Sequence, residues 1–421
     1  MTLHAALLLL LHAFAPAASG AGATVGKQDG DLWKALDDPR ASMDRIKTEA
    51  GSDPAKLAET LRRGRAYPPA EPGELKERLT DGFGQETDLW IVVPRSYSPE
   101  RPAGVLIVLH GLGGNGGQAK DLLADFAQEK NFILVCPTAQ KEPATAQNED
   151  AMDFTAAMFK HWWSYREGSI PLAALSLVKR RYAIDENRVI LSGASMGGFG
   201  TWNIGLRYPD RFAGLLPVCG GISRMEFAGP RDDKMRNVLL NVFHTPVYFI
   251  HGDQDEVVPV GPERWTRDEL KAYAYDSTYV EVPKAKHDLR KEWPDLRKGI
   301  DPWLAARVRK PHPAEVKHHA IASYAPQSYW VRIAEFAGGS AEVKASVKNQ
   351  TITFTSKGAK KITFYLDEKL VDLAKPVRVM MGPRKVFEGK VKPSVDAVLE
   401  SWRAREDREL IYRASVTVVV P

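Results

Sequence analysis

Arg188-Val189-Ile190-Leu191-Ser192-Gly193-Ala194-Ser195-Met196-Gly197-Gly198-Phe199-Gly200-Thr201-Trp202-Asn203-Ile204-Gly205-Leu206-Arg207-Tyr208 is the stretch that decides how this chain is read. The apolar run Arg188–Leu191 predicts a buried strand, and the apolar spacing from Phe199 to Tyr208 predicts a helix. Between them lies a G-x-S-x-G turn, Gly193-Ala194-Ser195-Met196-Gly197. A turn this tight requires glycine beside the serine and lifts the serine onto its tip with the hydroxyl exposed. Ser195 then stands at a helix N-terminus, where free backbone N–H groups and the helix dipole favour negative charge. The pentapeptide alone occurs by chance in many chains. The strand before it and the helix after it make Ser195 a candidate nucleophile.

A serine hydroxyl is a weak nucleophile and needs an adjacent base, with an acid to orient that base. Both are available downstream in that order. Pro246-Val247-Tyr248-Phe249-Ile250 predicts a buried strand ending in His251-Gly252-Asp253-Gln254-Asp255, followed by Val257-Val258-Pro259. The next predicted strand, Thr278–Val282, leads into Pro283-Lys284-Ala285-Lys286-His287. An imidazole at His287 can take the serine proton and return it to a leaving group. Asp253 and Asp255 compete for the acid. Asp255, three positions after Gly252 and before the Val-Val-Pro segment, is the choice, with Asp253 expected to tie down the loop.

An oxyanion site is the remaining requirement. The strand Val105–Leu109 runs into His110-Gly111-Leu112-Gly113-Gly114-Asn115, a loop able to aim a backbone N–H at a developing oxyanion beside that of the residue after the serine. This nominates Leu112 and Met196. The same glycines could cradle a nucleotide phosphate, but neither G-x-x-x-x-G-K-[ST] nor G-x-G-x-x-G spacing is present. No nucleic-acid partner or cofactor is expected.

These segments resemble the α/β-hydrolase superfamily over roughly residues 80–308. Within it they are similar to the feruloyl-esterase and polyhydroxybutyrate-depolymerase type and to the phospholipase/carboxylesterase group. The resemblance implies a triad of Ser195, Asp255 and His287, with oxyanion donors at Leu112 and Met196. Prolyl-oligopeptidase-type peptidases share the fold but usually carry an aromatic residue where Met196 stands, and dienelactone-hydrolase relatives use cysteine in place of Ser195. The expected activity is hydrolysis of a carboxylic ester through an acyl-serine, on a small or polymeric substrate. A serine peptidase is the alternative, and a catalytically silent binding fold a third reading.

The chain has 421 residues, 44% of them apolar and 26% charged, enough for a sizeable core and more than one domain. The apolar run Leu3–Ala15, followed by Pro16-Ala17-Ala18-Ser19-Gly20-Ala21, has the length and the small residues of a cleavable export signal over residues 1–23, though Lys and Arg are missing ahead of it. Secreted or periplasmic placement follows, and no segment is long enough for a membrane span. The two cysteines, Cys136 and Cys219, each end a predicted strand. Those strands are not expected to be neighbours, so both read as buried free thiols. Cys/His spacing for zinc does not occur, and no metal is expected.

The expected architecture is an α/β-hydrolase fold, a mostly parallel sheet flanked by helices, at residues 80–308. An N-terminal helical extension occupies 24–79, with no assigned chemical role. Past the hinge Arg309-Lys310-Pro311-His312-Pro313, short alternating runs and one helix near Ser394–Arg405 predict a small C-terminal β-sandwich over 314–421. From Pro311 onward there are 18 Lys and Arg against 12 Asp and Glu. That excess reads first as a solvated face, and alternatively as a surface for an anionic polysaccharide. Since every triad candidate precedes the hinge, this module is expected to be separable from the chemistry. The long connection 139–168 is polar, then aromatic. Trp162 and Trp163 are its candidate pocket-lining residues, the alternative being that its rings pack as a satellite core.

Overall fold

The computed structural model describes residues 27–38, 40–82, 84, 86–139, 162, 165–222, 237–320 and 325–421. The export-signal segment and Trp163 lie outside them. Eight strands form the main sheet: β1 (Gly73–Thr80), β2 (Glu86–Val93), β3 (Ala103–Leu109), β4 (Phe132–Pro137), β5 (Ile184–Ala194), β6 (Gly214–Val218), β7 (Val247–Gly252) and β8 (Ser277–Val282). Their order is β1-β2-β4-β3-β5-β6-β7-β8. The first two pairings are antiparallel, and from β4 to β8 every neighbour is parallel. Strands β3, β4, β6 and β7 are buried along their whole length, because helices cover both faces of a parallel sheet. The loops after β3, β5, β7 and β8 therefore emerge on one edge of the sheet, at the carboxyl ends.

The expected helical extension is corrected at its end. Residues 73–80 are β1, the sheet's outer strand, with only Leu79 buried. An edge strand facing water has no reason to alternate apolar residues, and Glu74, Lys76, Glu77 and Arg78 hid it. Between β3 and β4 the helical path is broken at Leu123, between Lys120–Leu122 and Ala124–Glu129. Both cysteines are free and buried.

Beyond the hinge, a four-stranded and a five-stranded sheet enclose one apolar core. Val331, Ile362 and Phe364 from one sheet meet Val343, Ile352 and Phe354 from the other. The helix Val395–Arg405, capped by Ser394, does not face this core. Its Val398, Leu399 and Trp402 pack with Leu32, Trp33, Leu57 and Leu61 of the N-terminal helices. The rings of Trp33 and Trp402 meet edge-on at 5.4 Å. The extension that carried no chemical role in the sequence is thus the packing partner of the C-terminal module.

The module is also joined to the main sheet by buried charge. Arg309, at the hinge, grips both carboxylate oxygens of Asp407 at 2.9 and 3.1 Å, and Lys179 lies 3.5 Å from the same carboxylate. Arg405 donates to Asp210 at 2.7 Å, and the Tyr329 amide donates to the same oxygen at 2.8 Å. Arg408 pairs in two-pronged fashion with Glu186, and Asn241 exchanges hydrogen bonds with the backbone of His319. Burial by itself would raise the pKa of Asp407, but Arg309 and Lys179 outweigh it and hold the carboxyl well below its usual range. Asp210 is lowered in the same way, burial being outweighed by Arg405 and Arg211.

Removing one member of a buried ion pair strands its partner, at a cost of about 3–5 kcal/mol. Asp407→Ala should lower the free energy of unfolding by about that much, read from the urea midpoint at neutral pH. Because both folded carboxyls are depressed, their stabilisation is complete above the unfolded value near about pH 4 and is lost as pH falls through the folded values. The acid-unfolding curve of Asp407→Ala should accordingly be shallower than that of the wild-type protein. A chain ending at Lys310 should unfold, contrary to the separability expected from the order of residues alone.

Candidate active site

The turn after β5 places Ser195 at φ 60°, ψ −121°, a positive φ that a residue with a side chain rarely adopts. Two glycines permit it. A Cβ on Gly193 would lie 2.6 Å from the Gly197 carbonyl oxygen, and one on Gly197 would collide with the carbonyl oxygen of Leu109. The helix Met196–Arg207 therefore starts directly against β3 and β5. The Ser195 amide is held by the Val218 carbonyl at 2.8 Å, and its own carbonyl accepts from Phe199 at 3.0 Å.

Three loops bring the candidate triad together. His287 Nε2 lies 2.8 Å from Ser195 Oγ, and its Nδ1 lies 2.6 Å from Asp255 Oδ2. An ionised carboxylate only accepts, so Nδ1 carries the hydrogen and Nε2 is free to accept the serine proton. The Asp255 side chain is fully buried, that of His287 23% exposed. Asp255 Oδ1 accepts from the amides of Val257 and Val258 at 2.9 and 2.8 Å. The Val-Val-Pro segment thus orients the acid. Asp253 ties down the loop through its main chain, its amide donating to the Val282 carbonyl at 3.1 Å, while its buried Oδ1 has no partner among the described residues.

Met196 is the first residue of its helix, so its N–H has no acceptor within that helix and faces the same edge as Ser195 Oγ. Leu112, in the loop after β3, is 58% exposed and borders the same cleft as Ser195. His110 and Trp162 brace this loop. The Ala139 amide donates to His110 Nε2 at 3.0 Å, which leaves Nδ1 as the donor to the Gly111 carbonyl at 2.7 Å. Trp162 Nε1 donates to the His110 carbonyl at 3.0 Å, its ring edge-on to the imidazole at 5.1 Å. Trp162 was expected to line the pocket; instead it is fully buried beneath the loop after β3, against Leu109 and Gly200. An indole with one polar atom and a large apolar body is best used there, with its N–H paired and its ring dry.

A cleft of about 870 Å³ opens over Ser195 and His287. Leu122, Val218, Leu289 and Trp293 give it apolar walls, with Gln118, Asp121 and Arg290 among its polar groups. Exposed Leu112 and Val257 also border it. The sequence had singled out none of these wall residues, since each is an ordinary apolar position on an element whose orientation depends on the whole sheet. Cys219, just past β6 and at φ 46°, also faces the cleft. Its sulfur lies within 4.8 Å of the donor atoms of Asp255 and His287, and burial pushes the thiol up to about 12, so it stays neutral.

Residues 95–296 match the Phospholipase/Carboxylesterase family. This part of the chain has the α/β-hydrolase fold. Among curated proteins it is 24% identical over 219 residues to lysophospholipase-like protein 1 of Mus musculus, an alignment covering 49% of this chain and 88% of that protein. It is 25% identical to a bifunctional acetylxylan esterase/xylanase of Neocallimastix patriciarum, over 42% of this chain and 22% of that one. Feruloyl esterase B of Talaromyces stipitatus is 26% identical, over 38% of this chain and 44% of that protein. The matched segment thus spans less than half of the last two. A solved thermostable esterase superposes with a TM-score of 0.43 at 22% identity, over 56% of this chain and 63% of its own.

The geometry separates the two aspartates. Asp255→Asn should lower kcat on a p-nitrophenyl ester by about ten-thousand-fold, because an amide favours the wrong imidazole tautomer. Asp253→Asn should keep most of the wild-type rate. Steady-state kinetics on both variants checks the assignment.

Proposed function

We propose that this protein is a secreted ester hydrolase in which Ser195 carries the acyl group, His287 is the general base and acid, and Asp255 orients His287. The observation that carries this reading is the continuous hydrogen-bonded line Ser195 Oγ–His287–Asp255, opening onto the cleft. With the ester carbonyl over Ser195, Oγ forms the new C–O bond as His287 Nε2 takes its proton. The carbonyl oxygen becomes an oxyanion facing the amides of Met196 and Leu112. As the tetrahedral adduct collapses, the C–O bond to the alcohol breaks and His287 protonates the leaving oxygen. Water, deprotonated by His287, then attacks the acyl-serine by the same path in reverse.

The apolar walls at Leu122, Leu289 and Trp293 and the exposed rim at Leu112 and Val257 support an acyl or aryl ester, including one displayed on a polysaccharide or polyester. Two curated relatives are named for acetylxylan and feruloyl esters, which supports the polysaccharide form. Secretion rests on the Leu3–Ala15 run. Binding of a polymer by the basic C-terminal module would be seen as retention on insoluble anionic polysaccharide.

Ser195→Ala should abolish turnover of acetyl, butyryl and feruloyl esters, with a loss on the order of a million-fold in kcat, and should abolish labelling by a fluorophosphonate. Retained turnover would overturn the reading. Rapid cleavage of peptides with sluggish ester turnover would replace the esterase with a peptidase.

A further inference from the structure

His251, the last residue but one of β7, is fully buried, and its ring faces the triad acid. Its Nε2 lies 2.9 Å from the Val258 carbonyl oxygen and 3.2 Å from Asp255 Oδ2. Both neighbours are acceptors, so Nε2 carries the hydrogen and donates it to the Val258 carbonyl, with Asp255 Oδ2 as the longer, secondary acceptor. Nδ1 is then a bare lone pair, buried and without a partner among the described residues. Burial lowers the pKa of His251, against the pull of the Val258 carbonyl and of Asp255, so the ring is a neutral donor. The titratable groups acting on it are Asp255 from the following loop and His287 from the loop after β8. Cys219, after β6, completes that cluster as a neutral thiol, itself acted on by Asp255, Glu263 and Asp288.

We infer that His251 is a positioning residue for the triad, a second imidazole that holds Asp255 Oδ2 in line with His287. A fully buried carboxylate is costly unless its lone pairs are satisfied. Asp255 has two backbone amides on Oδ1 and two imidazoles on Oδ2, and among the described residues no Lys or Arg pairs with it. A cation at the place of His251 would fix the carboxylate equally well. It would also draw off the negative charge on which the His287 imidazolium depends in the transition state. A neutral N–H orients the oxygen and leaves that charge available. Without it, Oδ2 depends on His287 alone, the carboxylate gains rotational freedom, and it becomes a stronger acceptor toward the imidazolium.

The inference rests on the triad reading proposed above, so the full-length protein is assayed with three variants. Ser195→Ala tests that reading by itself. His251→Leu removes the donor. His251→Gln restores an N–H close to the place of Nε2. In His251→Leu, kcat should fall by about tenfold to a hundredfold with KM within about twofold, the loss of one hydrogen bond to a charged group. The acid limb of its kcat/KM profile should move to higher pH, because the less solvated Asp255 favours protonated His287. The low-field proton resonance of the His287–Asp255 bond should shift in the same variant. His251→Gln should recover most of kcat and return the acid limb and the resonance toward wild type. A His251→Leu protein with lower thermal stability but unchanged kcat, acid limb and resonance would overturn the inference while leaving the triad standing. So would a His251→Gln protein no better than His251→Leu in all three readouts. An active Ser195→Ala would instead overturn the triad reading itself.

Discussion

The close approach of the helix Met196–Arg207 to β3 is the constraint on which the site depends. With Gly197 resting on the Leu109 carbonyl, nothing larger fits, and the chain leaving β5 has to turn through Ser195 at positive φ. Such a conformation costs about 1–3 kcal/mol and persists only where its surroundings over-determine it. Here the surroundings are the Val218 carbonyl on the Ser195 amide, the first turn of the helix, and the buried strands on either side. The return is positional. The hydroxyl projects from the sheet edge, the Met196 amide stands beside it, and the loops after β7 and β8 reach it because their strands run parallel to β5. A hydrolase sheet with the elbow relaxed would still be a sheet, but its loops would have nothing to converge on.

The second organising feature is the charged seam between that sheet and the C-terminal module. Lys179, Glu186 and Asp210 on one side and Arg405, Asp407 and Arg408 on the other lie largely or wholly out of water, with Arg309 between them. Buried pairs of this kind contribute less net stability than their number implies, but they are unforgiving of partial assembly. A hydrolase segment without the module would leave Asp210 with Arg211 alone and Glu186 without Arg408, and the module alone would hold Arg405 and Arg408 without these carboxylates. The N-terminal helices extend the same dependence, since their apolar faces are covered by the module's helix. Chain order presents three consecutive units, whereas the packing makes the first and third a joint support behind the second. Among the described residues, none from that support borders the cleft.

Much of the site was legible because its chemistry is local to short motifs. Ser195 announced itself through glycines that only a tight strand-to-helix turn needs. Asp255 and His287 followed from their places just past two apolar runs. The choice of Asp255 over Asp253 agrees with the geometry for a reason that the spacing only hinted at: two residues farther on, the carboxylate can accept from the Val257 and Val258 amides and still face His287. Trp162 misled for an equally physical reason. Aromatic residues in a long loop suit a pocket and a satellite core alike, and only the His110 carbonyl waiting for an N–H decides between them. The outer strand β1 was missed because water on its open face removes the alternation by which strands are recognised.

The sequence by itself determined the parts that follow from backbone sterics and from hydrophobic patterning. These are the buried strands, the tight turn at Ser195, the chain order of Ser195, Asp255 and His287 at successive strand ends, the free thiols, and the presence of a β-rich module after a proline-containing hinge. Tertiary structure alone decided what depends on residues far apart in the chain reaching one another. The wall of the cleft, the polar surroundings of Asp255, the bracing of the loop after β3 and the seam that joins hydrolase to module all belong there. Local propensity is written in neighbouring residues, whereas the partner of a buried polar atom is set by where two separate strands or helices come to rest. His251 shows the difference. In the sequence it is a histidine at the end of an apolar run, and its function is set by the 3.2 Å separating its ring from Asp255.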